Sequence, residues 1–134
     1  MKIYAVYDTN ILVSALLSKR SDSAVVLTLE AFLRKEVTPL YNQEVLEEYR
    51  DVLSREKFHF PKDLTDKLIK QIQIDGIAAD PVSSNEVFSD LDDAKFYEVA
   101  LSKEGSFLVT GNAKHFPQSP IVVSPAEFLR ILKG

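Results

Sequence analysis

The chain has 134 residues, 46% hydrophobic and 27% charged, which predicts one domain over residues 1–134 with a single core. It has no apolar run long enough to span a bilayer and no signal-peptide pattern, so we expect a cytoplasmic protein without membrane contact. The lack of cysteine excludes disulfides and thiolate chemistry. The net charge of −4 argues against a DNA-binding module that neutralises many phosphates, but not against an enzyme that binds a divalent cation.

The hydrophobic pattern alternates between the periods of strands and helices along the chain. It predicts, in order, a strand at 2–7, helices at 11–18 and 23–36, a strand at 37–41 and a helix at 43–54 that Asn42 can cap. There follow a helix from Pro61 to Gly76, a weak strand at 77–82, a helix from Asp90 to Leu101, strands at 106–110 and 121–123, and a helix capped by Ser124. This alternation predicts a three-layer α/β/α fold with a mainly parallel central sheet.

The second predicted helix has Ala24, Leu27, Ala31 and Leu33 among its apolar positions. In the fourth helix, we expect Leu64, Leu68, Ile69 and Ile72 to form the buried face. Leu16, Leu17 and Leu29 could instead lie on the surface and form a dimer or partner interface, and the sequence leaves burial and exposure open for them.

Acidic side chains cluster where the predicted fold brings strand ends together. The carboxyl ends of parallel strands collect ligands, and the polar residues expected near them are Asp8, Glu44, Glu47, Glu48, Asp90, Asp92, Asp93 and the run Thr110 to Asn112. Neighbouring carboxylates repel one another, and a divalent cation relieves that repulsion. Because Mg²⁺ and Mn²⁺ prefer oxygen ligands and bridge to phosphates, the pattern indicates metal-assisted phosphodiester hydrolysis.

Four segments, in this order, resemble the motif regions of the PIN-domain family. They are YDTNILVSALLS, NQEVLEEYRDVL, SDLDDAKFYEVAL and FLVTGNAKHFP, and together they cover nearly the whole chain. Each motif alone is weakly specific, whereas the ordered set of four is strongly so. The resemblance is closest to small bacterial and archaeal PIN proteins described as toxins of toxin–antitoxin pairs.

The resemblance implies roles for individual residues. It places metal-binding carboxylates on Asp8, Glu48 and Asp93, with Asp90 assisting, and it places Asn112 where the family often has aspartate. Thr9, Asn10 and Thr110 would orient the carboxylates, and Lys114 and His115 could contact the substrate phosphate. The neutral Asn112 removes one negative charge from the site and leaves open whether one metal or two are bound.

Simpler interpretations exist for the same residues. Asp8 could simply end a strand or cap the next helix. Asp90, Asp92 and Asp93 could be no more than favourable charges at a helix N-terminus, and Asn112 could be no more than a turn residue. Glu44, one helical turn before Glu48, is an alternative ligand. For His59 and His115, packing or loop roles are the simpler interpretation.

The sequence therefore predicts a PIN-like, Mg²⁺- or Mn²⁺-dependent endoribonuclease acting on single-stranded RNA. The resemblance implies a cognate antitoxin and a homodimer. One alternative is a catalytically silent PIN-like module that binds nucleic acid or protein. The other is a phosphatase of a different doubly wound fold with Asp8 as nucleophile, against which Asn10 stands where such enzymes often have a second aspartate.

Overall fold

The computed structural model describes residues 2–80, 88 and 91–134, with only the backbone of residues 91 and 92. The strands in this part of the chain are β1 (Tyr4–Tyr7), β2 (Thr38–Tyr41), β3 (Ile77–Ala78), β4 (Phe107–Val109) and β5 (Val122–Val123). The α-helices are α1 (Thr9–Leu17), α2 (Ala24–Leu33), α3 (Gln43–Leu53), α4 (Lys62–Asp75), α5 (Leu91–Leu101) and α6 (Pro125–Lys133). None of these helices is long and apolar enough to cross a bilayer.

The strands form one parallel sheet in the order β3-β2-β1-β4-β5. Helices α4 and α5 both contact β2, and α5 also contacts β1 and β4. Among the helices, α3 packs on α4 and α5, while α2 packs on α1 and α6. The predicted α/β fold with a parallel central sheet is confirmed. Because β1 and β4 are neighbours at the centre of the sheet, their carboxyl ends lie side by side.

Local capping explains where several helices begin. The side chains of Asn42 and Ser124 accept hydrogen bonds from Val45 and Glu127 backbone N–H groups, at 2.9 and 3.1 Å, as expected for N-caps. At Ser124 the Glu127 carboxylate also accepts from the Ser124 N–H, which completes a capping box ahead of α6. These caps were predicted from the sequence and are confirmed.

The second helix ends earlier than predicted, and some of its apolar residues lie on the surface. Lys35 adopts a left-handed backbone conformation, with φ of 66°, which cannot continue the helix. Two of its apolar residues, Leu27 and Leu33, are 37% and 50% exposed. Leu29, for which the sequence left burial and exposure open, is buried, because the rotation of α2 is set by its packing between α1 and α6. In α4 the prediction of a buried Leu64 was wrong, since this residue is 46% exposed.

Candidate functional site

Asp8 lies at the junction of β1 and α1, next to the end of β4. Its backbone N–H donates to the Val109 carbonyl at 2.9 Å, and its side chain is only 7% exposed. Although Asp8 is the N-cap residue of α1, its side chain makes no capping hydrogen bond. Instead Asp8 Oδ2 accepts a hydrogen bond of 2.7 Å from Thr110 Oγ1. The simple interpretation of Asp8 as a helix cap is therefore wrong for its side chain.

Thr110 links Asp8 to the segment that follows β4. Its backbone N–H donates to the Val123 carbonyl at 3.0 Å, which holds it in the sheet. Its hydroxyl donates to Asp8 and accepts from the Asn112 N–H at 3.0 Å. Asn112 thus enters the network through its backbone, whereas its side chain is exposed.

Two buried tyrosines fix the end of β1. The Tyr49 hydroxyl on α3 donates to the Tyr7 carbonyl, and the Tyr7 hydroxyl donates to the Thr28 carbonyl on α2 at 3.0 Å. Burial raises the pKa of both hydroxyls, and for Tyr49 the charges of Asp8 and Glu48 raise it further. Both tyrosines therefore remain neutral donors that hold the residue before Asp8 between two helices.

Glu48, and not Glu44, is the α3 glutamate that reaches this region. Glu44 is exposed in the first turn of the helix, whereas Glu48 is partly buried and its Oε2 accepts from Thr9 Oγ1. Glu48 Oε1 lies 2.7 Å from Lys95 Nζ on α5. Both oxygens of this carboxylate are therefore engaged by other side chains.

Asp93 approaches from the first turns of α5. Its Oδ2 lies 3.8 Å from His115 Nδ1, in the short 3₁₀ helix Ala113–His115. His115 thus lies beside an acidic residue of the cluster, while Lys114 is exposed and His59 lies elsewhere, exposed after the 3₁₀ helix Glu56–Phe58. The predictions for Asp90 and for the Asp92 side chain concern positions outside the described residues.

The electrostatics of the cluster follow from this crowding. Burial is the main reason that the pKa of the Asp8 carboxyl is raised, and the charges of Asp93 and Glu48 raise it further. The hydrogen bonds from Thr110 and the Thr9 N–H oppose these effects without cancelling them. Asp8, Glu48 and Asp93 are thus mutually repulsive, and an added cation would relieve that repulsion.

The donor set suits a hard divalent cation in its chemistry. It consists of carboxylate oxygens, and Asn10 adds a buried Oδ1 for which the described residues supply no hydrogen-bond partner. In the arrangement described, however, no three acidic or histidine side chains lie at the spacing of a metal-binding group. In this arrangement Lys95 and Thr9 occupy the two oxygens of Glu48.

Lys95 is the residue of this site that the sequence-based interpretation missed. Its side chain is 13% exposed, and it is the one basic residue in the acidic segment DLDDAKFYEV. A lysine in such a segment is equally typical of a charge pair within its own helix. Its contact with Glu48 on a different helix required the tertiary structure.

Comparisons with known proteins agree with this geometry. The family model described as PIN domain matches residues 4–114. The crystal structure of PAE2754 from Pyrobaculum aerophilum superposes with a TM-score of 0.61 at 16% identity, covering 98% of this chain and 90% of that one. This likeness concerns the fold alone. A search of curated proteins gave no match.

PIN domains are typically nucleases and generally use divalent metal ions. The matched region spans most of the chain and contains Asp8, Glu48, Asp93 and Asn112. Together with the parallel sheet and the acidic cluster at the ends of its central strands, this match shows that the chain belongs to the PIN-domain family.

Proposed function

We propose that this protein is a Mg²⁺- or Mn²⁺-dependent endoribonuclease that hydrolyses phosphodiester bonds of single-stranded RNA. The observation that carries the proposal is the Asp8 carboxylate, which is buried at the ends of β1 and β4 and has its pKa raised in part by the charges of Asp93 and Glu48. A PIN domain with such a cluster has the donor chemistry for metal-assisted hydrolysis.

The proposed ligands are Asp8, Glu48 and Asp93, with Asp90, which lies outside the described residues, assisting. A bound metal would supply an activated water and positive charge near the leaving oxygen, so no side-chain nucleophile is required. The position of Asp8 is fixed by two contacts: its backbone N–H donates to the Val109 carbonyl, and its carboxylate accepts from Thr110.

The surrounding polar residues have supporting roles in this proposal. Thr9 and Thr110 orient Glu48 and Asp8 through the hydrogen bonds described above. Asn10 offers its buried Oδ1, and Asn112 would position water or phosphate. Lys114 and His115, in one short 3₁₀ helix beside Asp93, would contact the phosphate of the substrate.

We further propose that the chain acts as one cytoplasmic domain and as the toxin of a toxin–antitoxin pair. An apolar groove of about 230 Å³ runs between α1, α2 and α4, with Leu33 and Leu64 exposed on its wall. A surface of this kind supports contact with an antitoxin or a second copy of the chain.

A cleavage assay on the purified full chain tests the nuclease proposal. With end-labelled single-stranded RNA, we expect Mn²⁺-dependent internal cleavage that EDTA abolishes and Asp8→Ala removes. Asp22→Ala is the matched control, because Asp22 is exposed and pairs with Arg20 on the surface. Equal cleavage by wild type and Asp8→Ala would defeat the assignment.

The second candidate is a PIN-like module that binds without catalysis. Lys95 favours it, because an ammonium paired with Glu48 occupies a carboxylate that a metal would need. Isothermal titration with Mn²⁺ separates the two candidates. Metal binding with RNA cleavage supports the nuclease, whereas RNA binding without any Mn²⁺ binding supports the silent module.

A further inference from the structure

The ion pair between Lys95 and Glu48 lies inside the acidic cluster, not on the outer surface. The Nζ–Oε1 distance is 2.7 Å, and the two side chains are 13% and 23% exposed. The Lys95 ammonium also lies 5.5 Å from the centre of the Phe96 ring, which is itself 1% exposed. The ammonium group is therefore held by two neighbours and largely shielded from water, unlike that of a solvated surface lysine.

The second oxygen of Glu48 is engaged as well. Thr9 Oγ1 donates to Oε2, so each oxygen of the carboxylate has a partner, Lys95 at Oε1 and Thr9 at Oε2. Thr9 follows Asp8 directly in the chain, which places these two contacts next to the buried aspartate. In this state one of the three negative charges of the cluster is balanced by a residue of the chain itself.

We propose that Lys95 and the divalent cation compete for Glu48. Lys95 holds this carboxylate in the metal-free protein, and the ammonium leaves Oε1 when a cation binds. Two positive centres at one carboxylate repel each other strongly in a partly buried site, so both cannot stay at full contact. Lys95 is thus a positioning residue that lowers metal affinity and stabilises the metal-free cluster. The inference deepens the proposed function and rests on it.

Mn²⁺ titration of the full chain without RNA tests the competition. Lys95→Met keeps most of the apolar stem and removes the charge, and we expect it to tighten the Mn²⁺ Kd by about tenfold or more. The same variant should melt at a lower temperature than wild type in EDTA, because Glu48 loses its ion pair while the charges of Asp8 and Asp93 remain close by. Lys70→Met, an equal charge change at an exposed position of α4, should change neither quantity.

A second pair of variants isolates Glu48 as the shared partner. In a Glu48→Gln background the Lys95→Met substitution should alter the Mn²⁺ Kd by less than about threefold, because the competition has been removed. Lys95→Arg keeps a cation at the site and should retain a Kd near that of wild type. It also shows whether a weakened fold, and not the lost charge, explains the result for Lys95→Met.

The outcomes distinguish this inference from the proposed function. Wild-type Mn²⁺ binding with an equal or weaker Kd in Lys95→Met overturns the competition and leaves the nuclease proposal standing. A full tenfold gain that persists in the Glu48→Gln background overturns it too, because the effect would then be one of general charge. No Mn²⁺ binding by wild type or Lys95→Met overturns both the inference and the metal-dependent function.

Discussion

Asp8 and Glu127 are two carboxylates of this protein whose surroundings shift the pKa in opposite directions. Asp8 is buried at the ends of β1 and β4, and its pKa is raised by burial and then by the charges of Asp93 and Glu48. Glu127 is exposed in the first turn of α6, and its pKa is lowered by hydrogen bonds from the backbone and side chain of Ser124. Both accept hydrogen bonds, so hydrogen bonding alone does not decide the direction.

The comparison separates a carboxylate whose charge stabilises the fold from one whose charge destabilises it. The charge of Glu127 helps folding, because it completes a capping box at a helix N-terminus in water. The charge of Asp8 opposes folding, because it is buried among like charges without a full set of compensating donors. Groups that weaken the fold in this way are typical of sites kept for chemistry or ligand binding.

Replacing Asp8 by asparagine should have the largest effect and should separate activity from stability. We expect Asp8→Asn to lower Mn²⁺-dependent RNA cleavage by at least about 100-fold, because a metal-binding charge is lost. The metal-free variant should be more stable than wild type at pH 7, since the buried charge is gone and asparagine can still accept from Thr110. Urea unfolding in EDTA measures the stability. A variant that is both inactive and less stable would contradict the statement that the charge of Asp8 destabilises the fold.

Removing the hydroxyl that supports Asp8 should have a smaller effect on activity. Thr110→Val deletes the hydrogen bond that lowers the pKa of Asp8, so that pKa should rise further and cleavage at pH 7 should fall by about tenfold. A ¹³C NMR titration of the Asp8 carboxyl carbon follows the pKa directly.

Thr28→Val is the matched control for Thr110→Val. Thr28 is also a buried threonine, but its Oγ1 has no hydrogen-bond partner among the described residues, and its carbonyl still accepts from Tyr7 after the change. We expect its cleavage rate to match that of wild type. An equal loss of activity in both variants would mean that the Thr110 result reflects packing.

Disrupting the α6 cap should affect stability without affecting the site. Ser124→Ala removes the side-chain acceptor for the Glu127 N–H and should lower the free energy of unfolding by about 1 kcal/mol. RNA cleavage at saturating Mn²⁺ should remain within about twofold of wild type. Ser21→Ala, in an exposed turn, is the control and should leave stability unchanged.

The pH dependence of stability should show the smallest effect, with opposite signs for the two carboxylates. Because the folded pKa of Asp8 is raised, its charge destabilises the fold increasingly as the pH rises from the unfolded pKa through the folded one. The stability gain of metal-free Asp8→Asn should therefore be absent at strongly acidic pH and grow towards neutrality.

Glu127 should show the reverse pattern in the same experiment. Its folded pKa is lowered, so its contribution is present above the unfolded pKa and is lost as the pH falls through the folded one. The stability loss of Glu127→Gln should be largest at neutral pH and vanish in acid. Parallel pH profiles for the two variants would contradict the assignment of opposite pKa shifts.

Much of the fold was predictable because its signals are local. Periodicity located the strands and helices, Asn42 and Ser124 marked helix starts, and the alternation implied a parallel sheet. The rotation of a single helix was less predictable, as the exposed Leu64 of α4 shows, because a helix with several apolar positions leaves more than one possible inner face.

For the candidate site too, the sequence predicted some features and left others to the tertiary structure. Residues four apart on a helix share a face, so periodicity could not choose between Glu44 and Glu48. Only the docking of α3 against α1 and α5 placed Glu48 at Thr9 and Lys95. The contact of His115 with Asp93 likewise depends on how the segment after β4 returns to α5.

The sequence by itself determined the order of elements, the PIN-domain resemblance and the place of Asp8 at the end of β1. These follow from local periodicity and from a motif set spread over the chain. The tertiary structure alone decided the partners of each charge: Thr110 for Asp8, Lys95 for Glu48, and His115 for Asp93. The physical reason is that a charge pair depends on distances of a few ångströms between distant segments, which are set by packing.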